Sequence, residues 1–360
     1  MFGQRLRLAR KKAGLSMRDL AGRLSPPLSA QAISKYEGGR MMPSSAVLID
    51  LGKTLDVSLD FLMGGQIEAL EGVDFRRHSG TSAKDRARAE AIVTEMLEDY
   101  LAVEDMLELE SCADPFAGLR CDRIGSVEDI ETKATDLRRH WNLGIDPIPS
   151  MTGLLEAHGI KVIEADLPAR FDGLACGVKR SGNRPNTEVV VTSRRTNVER
   201  KRLTLAHELA HRVIRDTGNP DIRVEKAMQR FAGAFLAPAE HLRAEVGTQR
   251  HGITYRELMR LKRFYGVSAA AMLIRLRDVG ILSVSAIEYA FRTYARSWRT
   301  SEPEPITDDE GLGAFERPSR FERLVWRALG EELISPIRAA QLLKRSVHDV
   351  EREIRGPCDR

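Results

Sequence analysis

Apolar positions along this 360-residue chain recur mostly at the three-to-four spacing of amphipathic helices. In residues 1–65 they fall into five short runs, near 2–13, 17–24, 30–37, 44–55 and 58–63, with Ala21, Ile33 and Leu48 among the inward positions. Glu37-Gly38 ends the third run and Pro43 leads into the fourth. Gly64-Gly65 closes this block, and residues 66–82 read as a linker. A long helix is predicted from Ala83 to about Glu110. Its Ile92, Met96, Tyr100, Val103 and Leu107 approximate a coiled-coil seam. The seam suggests a connection between two halves that doubles as a dimer contact; the other reading is a helix packed on the body that follows. Residues 111–127 read as loop.

Two helices, at about 127–141 and 149–158, precede a strand in GIKVIEA and a hairpin with its tip at SGNRPNT. Such a small sheet beside helices is an α+β arrangement, and its edge offers room for an extended substrate. Thr196 and Glu199 have capping-box spacing and predict a helix that runs to Ile214 and stops at Gly218-Asn219-Pro220. Asp221 to Pro238 reads as a second helix. TYRELMRLKRFYGVSAAAMLIRLRDVGIL reads as helix, turn, helix, and residues 300–318 as an acidic loop. Three short helices end the chain, with Phe321, Leu324, Val325, Leu329, Ile334, Ala339, Leu342, Leu343 and Val350 as their core. The fold class expected is mainly α with a small α+β part.

The chemistry concentrates in His207-Glu208-Leu209-Ala210-His211. Histidines four apart share a helix face and can hold one Zn2+, and the Glu after the first is placed to take a proton from a zinc-bound water. The helix around them is apolar through Leu203, Leu205, Ala206, Leu209, Ala210, Val213 and Ile214. Two imidazoles and a carboxylate buried there without a metal would be costly. A third protein ligand is needed. Glu225 precedes Met228 by three residues and Ala232 by seven, so it shares their face and is one candidate. His241 and His251 are the others.

At this point the run from Trp141 to Ser283 resembles the ImmA/IrrE family of zinc peptidases. The resemblance rests on GIDPIPSMTGLLEAHGIKVIEADLPARFDGLA, VERKRLTLAHELAHRVI, VEKAMQRFAGAFLAP and LKRFYGVSAAAMLIRLRDVGIL. It implies a zincin-like domain in which His207, His211 and Glu225 bind zinc and Glu208 is the catalytic base. Met228 and Gln229 stand where the family usually has Ala and Asn. The family's substrates are helix-turn-helix repressors, which implies a regulatory peptidase whose target is a repressor or antitoxin-like partner, or this chain's own linker.

Residues 1–65 resemble the xenobiotic-response-element class of helix-turn-helix domains, with a turn about two residues longer than usual, filled by Ser25-Pro26-Pro27. In such domains the start of the third helix enters the major groove. Here that places Ala30, Gln31, Ser34 and Lys35 at base edges, with Gln31 suited to adenine. Arg18 and Arg40 are placed for phosphates. Charge agrees: this block holds ten Lys/Arg against five Asp/Glu, a balance of +5 in a chain whose total is +4. The basic excess thus lies where a phosphate-seeking surface would be.

Cys112, Cys121, Cys176 and Cys358 lack metal or disulfide spacing and read as reduced thiols. No run is long enough for a membrane span and no signal peptide is evident, so the expectation is a cytoplasmic protein without membrane contact. The organisation expected is a helix-turn-helix domain at 1–65, a linker and connecting helix at 66–126, a peptidase domain at 127–245 and a helical region at 246–360. Two functions fit. One is a transcriptional regulator, acting as a homodimer on an operator in double-stranded DNA, whose peptidase controls a stress response. The other is a non-catalytic transcription factor whose zinc fold senses a ligand or supports dimerisation.

Overall fold

The computed structural model describes residues 2–63, 65–72, 82–109, 114–168, 171–182, 184–219, 221–307 and 311–355. Five helices open the chain: α1 (Phe2–Lys12), α2 (Met17–Arg23), α3 (Ala30–Glu37), α4 (Ser45–Leu55) and α5 (Leu59–Met63). Serines fix three of the starts. Ser16 forms a reciprocal capping box with Asp19, and Ser29 and Ser44 accept the N–H of Ala32 and Val47. Leu6, Leu20, Ala21, Ile33, Leu51 and Leu62 close the core, with Leu48 half-buried at its edge. Gly3 lets α1 cross α3 closely: a Cβ there would stand 2.4 Å from the Glu37 carbonyl oxygen.

The expected linker is partly a strand. Residues Ile67–Glu71 form β1; residues 73–81 lie outside the described residues. The long helix α6 (Ala83–Met106) follows. It has two buried faces instead of one seam. Ala89, Val93, Leu97 and Leu101 pack on a sheet, and Tyr100 and Val103 pack, with Leu107 just beyond the helix, on the C-terminal helices. Ile92 and Met96 are only half-buried. Of the apolar positions that suggested a dimer contact, Tyr100, Val103 and Leu107 are therefore covered within one chain, and Ile92 and Met96 partly so.

The stretch expected to be loop contains β2 (Cys121–Ile124); Cys112 there, like Cys358, lies outside the described residues. Then come α7 (Val127–His140), α8 (Met151–Ala157), β3 (Lys161–Ala165), β4 (Gly173–Arg180), β5 (Thr187–Ser193), α9 (Val198–Val213) and β6 (Ile214–Thr217). The main sheet has the order β1-β4-β5-β3, with β3 parallel to β5 and β4 antiparallel to both its neighbours. Alternation divides its faces. Leu174, Cys176, Val178, Val189 and Val191 meet α6, whereas Ala175 and Val190 meet α9.

Helices α10 (Val224–Leu236), α11 (Ala239–Val246), α12 (Tyr255–Tyr265), α13 (Ala269–Asp278) and α14 (Val284–Arg292) continue the α9 side, and one core runs from Phe116 to Trp298. A single 3-10 turn at Ala314–Glu316 leads to α15 (Arg320–Gly330), α16 (Pro336–Leu343) and α17 (Val347–Arg355). Leu324, Val325, Ile334, Ala339, Leu342 and Val350 form the core of these three helices as expected, and α6 completes it. Among the described residues no helix is long and apolar enough to cross a membrane.

Two local expectations around α9 fail. Asn197, not Thr196, caps the helix, because the Thr196 hydroxyl donates instead to the Ser193 carbonyl and Glu199 turns inward to Lys262. The helix also stops at Val213, before Gly218-Asn219, because the next residues extend to pair β6 in parallel with β2. Pro220 lies outside the described residues.

Candidate metal centre and nucleic-acid interface

α9 presents His207 and His211 on one face, and the first turn of α10 brings Glu225 against them. The two Nε2 atoms are 3.3 Å apart. Glu225 places one carboxylate oxygen 3.2 Å from His207 Nε2 and the other 3.9 Å from His211 Nε2. A tetrahedron of ligands about 2.0–2.1 Å from a zinc ion has edges of about 3.3 Å. Two of the three observed separations match it and the third, at 3.9 Å, is longer; two imidazoles with one carboxylate are a donor set zinc accepts. These residues form the one such group among those described. Glu225 is half exposed and leaves one side of the site open to solvent. His241 is elsewhere, hydrogen-bonded to the Tyr265 hydroxyl at 2.7 Å, and His251 is exposed outside the group.

Glu208 lies one residue beyond His207 and is buried at 8% exposure. Burial pushes its carboxyl up to about 7; His207 opposes that shift, Glu225 adds to it, and the Ala175 backbone N–H opposes it by hydrogen-bonding the carboxylate. Gly173 allows the close approach of β4 and α9. A Cβ there would stand 2.5 Å from Thr204 Cγ2 and 2.8 Å from the Val191 carbonyl oxygen. His207 and Glu208 open onto a cleft of about 1090 Å3, also lined by Arg223 and by Lys226 and Gln229 of α10.

What holds α9 in place was not visible in its sequence neighbourhood. Arg202, wholly buried, bonds Glu316 and donates to the Gly266, Ile148 and Tyr265 carbonyls. The Glu316 carboxylate also accepts the Met151 and Thr152 N–H at the start of α8. One turn earlier, Lys262 lies between Glu199 at 2.8 Å and Glu302 at 2.9 Å, all three buried. The stretch expected to be an acidic loop, 300–318, is thus a strap pinned to α9 at both ends; residues 308–310 lie outside the described residues. One signal was available. Arg202 shares the helix face of Leu205 and Leu209, and a charge in a core stripe calls for a buried partner.

On the other half, Gln31, Ser34 and Lys35 of α3 are exposed and Ala30 half-buried, while Ile33 and Tyr36 face the core. Arg18 at the start of α2 and Arg40 beyond α3 are exposed. Three other cations of this block are engaged internally. Arg10 binds Glu37, Arg5 binds Glu98, and Lys12 binds Glu95. The basic surplus counted from sequence therefore overstates what faces outward.

Comparison with known proteins agrees with both halves. Residues 6–62 match the helix-turn-helix family, and residues 155–277 match the Peptidase M78 family, described as the IrrE N-terminal-like domain. An uncharacterized HTH-type transcriptional regulator of Bacillus subtilis (strain 168), YqaE, is 35% identical over 66 residues. The match takes in 18% of this chain and 55% of that protein, so the chain spans about half the length of this curated relative. The chain joins an N-terminal helix-turn-helix domain to an IrrE-like domain of the Peptidase M78 family.

Proposed function

We propose that this protein is a DNA-binding transcriptional regulator whose second half hydrolyses a peptide bond in a repressor or antitoxin-like partner, or in its own linker. The observation that carries the reading is the meeting of three metal-ligating side chains with a buried carboxylate at the wall of an open cleft. His207, His211 and Glu225 would hold zinc. When bound, zinc supplies a Lewis acid that activates water and polarises a carbonyl. Glu208 acts as the base, held in place by the Ala175 N–H. Gly173 keeps β4 against α9 so that this carboxylate stays at the cleft. β1 pairs with β4 only from Gly177 to Arg180, and no strand among the described residues pairs with that side of Gly173–Cys176. On this reading an extended substrate backbone adds along the sheet at Gly173–Cys176.

At the other end, Gln31 reads adenine, Lys35 a guanine or phosphate, and Ala30 and Ser34 make close contacts in the major groove, while Arg18 and Arg40 hold phosphates. Two copies bind half-sites about one helical turn apart. The test is Glu208→Gln, which keeps shape and ligands but removes the base. That variant is expected to bind zinc and DNA as the wild type does and to leave a co-expressed helix-turn-helix partner and its own linker uncut. Equal processing by wild type and variant would overturn the peptidase reading and leave the zinc fold as a sensor or dimer platform.

A further inference from the structure

The charges of α6 are segregated. Its first two turns carry Lys84, Arg86 and Arg88, and from Glu90 onward every charged residue is acidic. The acids are engaged by other elements. Glu95 binds Lys12, and Glu98 binds Arg5 and accepts the N–H of Gln66 and Ile67. Glu104 binds Lys161 at 2.9 Å, Asp105 binds Arg180 and Arg184, each at 2.8 Å, and Asp99 lies 3.5 Å from Arg338. Glu90 feels the charge of Lys11. The three cations differ. None has a carboxylate within 4 Å among the described residues, and Asp85, their one acidic neighbour, is turned to Ser82 in the helix cap. Cations in the first turns also oppose the helix dipole. Among the described residues, these three side chains thus have no carboxylate partner in a helix where the acids have theirs.

Their position says what they face. α6 runs antiparallel to α1: Arg5 meets Glu98, Lys12 meets Glu95, and Lys84 lies against Gly14, its Nζ 3.2 Å from where a Cβ would stand. Gly14 begins the turn into α2, whose first residues include Arg18. We propose that the DNA-contacting surface extends past the helix-turn-helix domain onto α6, with Lys84 and Arg88, exposed and one turn apart on one helix face, taking phosphates that flank the operator. The inference rests on the DNA-binding reading above and adds residues outside the 6–62 match.

The full-length protein carrying Lys84→Gln and Arg88→Gln together tests it. Each phosphate contact contributes about 0.9 to the slope of log affinity against log salt. The double variant is expected to lower that slope by roughly 2 and to weaken specific and non-specific DNA alike by about 10-fold at ~0.1 M salt. Its zinc content and melting temperature should be those of the wild type, and its hydroxyl-radical footprint should lose the outermost protected nucleotides. Arg256→Gln with Arg260→Gln, exposed on the peptidase half, removes the same charge and should leave the slope unchanged. An unchanged slope and footprint in the α6 variant, with Arg18→Ala still lowering the slope, overturns the extension alone. An equal drop in both double variants overturns it too, since net charge would then be the cause. A wild type with no salt-dependent DNA binding overturns the underlying reading as well.

Discussion

In α3 the polar side chains stand on a core; in α9 they run through it. Gln31, Ser34 and Lys35 are exposed, and the helix is held by Ile33 and Tyr36 beneath them. In α9, Glu199, Arg202 and Glu208 are buried, and the first two are matched by charges from residues 63 and 114 positions away in the sequence. Substitution on α3 should change recognition without touching stability. On α9 the two cannot be separated, because each polar group is both part of the site's frame and part of its core.

The largest effect expected on the α9 side is loss of metal. His207→Ala with His211→Ala should take zinc content from about one per chain to none by elemental analysis, while DNA affinity stays within about twofold, the two halves having separate cores. A parallel loss of DNA binding would break the comparison. Next is Glu316→Ala, which leaves the Arg202 guanidinium buried and uncompensated. It should cost about 3–5 kcal/mol, seen as a lowered denaturant midpoint. Gly173→Ala follows at about 1–3 kcal/mol, since its new methyl meets Thr204 and the Val191 carbonyl. Its sharper readout is slowed cleavage with zinc retained, because Glu208 is displaced. On α3, Gln31→Ala should cost about 1–3 kcal/mol of discrimination at one base pair and change stability by less than about 0.5 kcal/mol. Smallest is Arg18→Ala, which should lower the salt slope by about 1 on every DNA sequence.

Local signals carried the first half. Each of α2, α3 and α4 begins at a serine cap and keeps one apolar stripe, so its span is written within a dozen residues. The metal group was equally local for His207 and His211, one turn apart, and Glu225 was reachable from the face it shares with Met228. What stayed hidden depends on distant partners. α6 packs against two bodies, so its apolar residues lie on two stripes, and a single-seam reading of Ile92 to Leu107 averages them. β1 is five residues long and finds its partner in β4 more than a hundred residues later. Glu302 and Glu316 look like ordinary members of an acidic loop until Glu302 is seen to share the buried Lys262 with Glu199 and Glu316 to meet the buried Arg202.

The strap also sets an order for biosynthesis. The DNA-reading half has its whole core once Met63 has left the ribosome. The helix bearing His207 and His211 emerges 135 or more residues later, and still holds an unmatched guanidinium until Glu316 follows another hundred residues on. Domains generally fold as units during synthesis, N-terminal first. A nascent chain of this protein is therefore expected to be competent for DNA before its peptidase half is stable, and a message truncated before codon 316 should yield a binder of DNA that cannot cut.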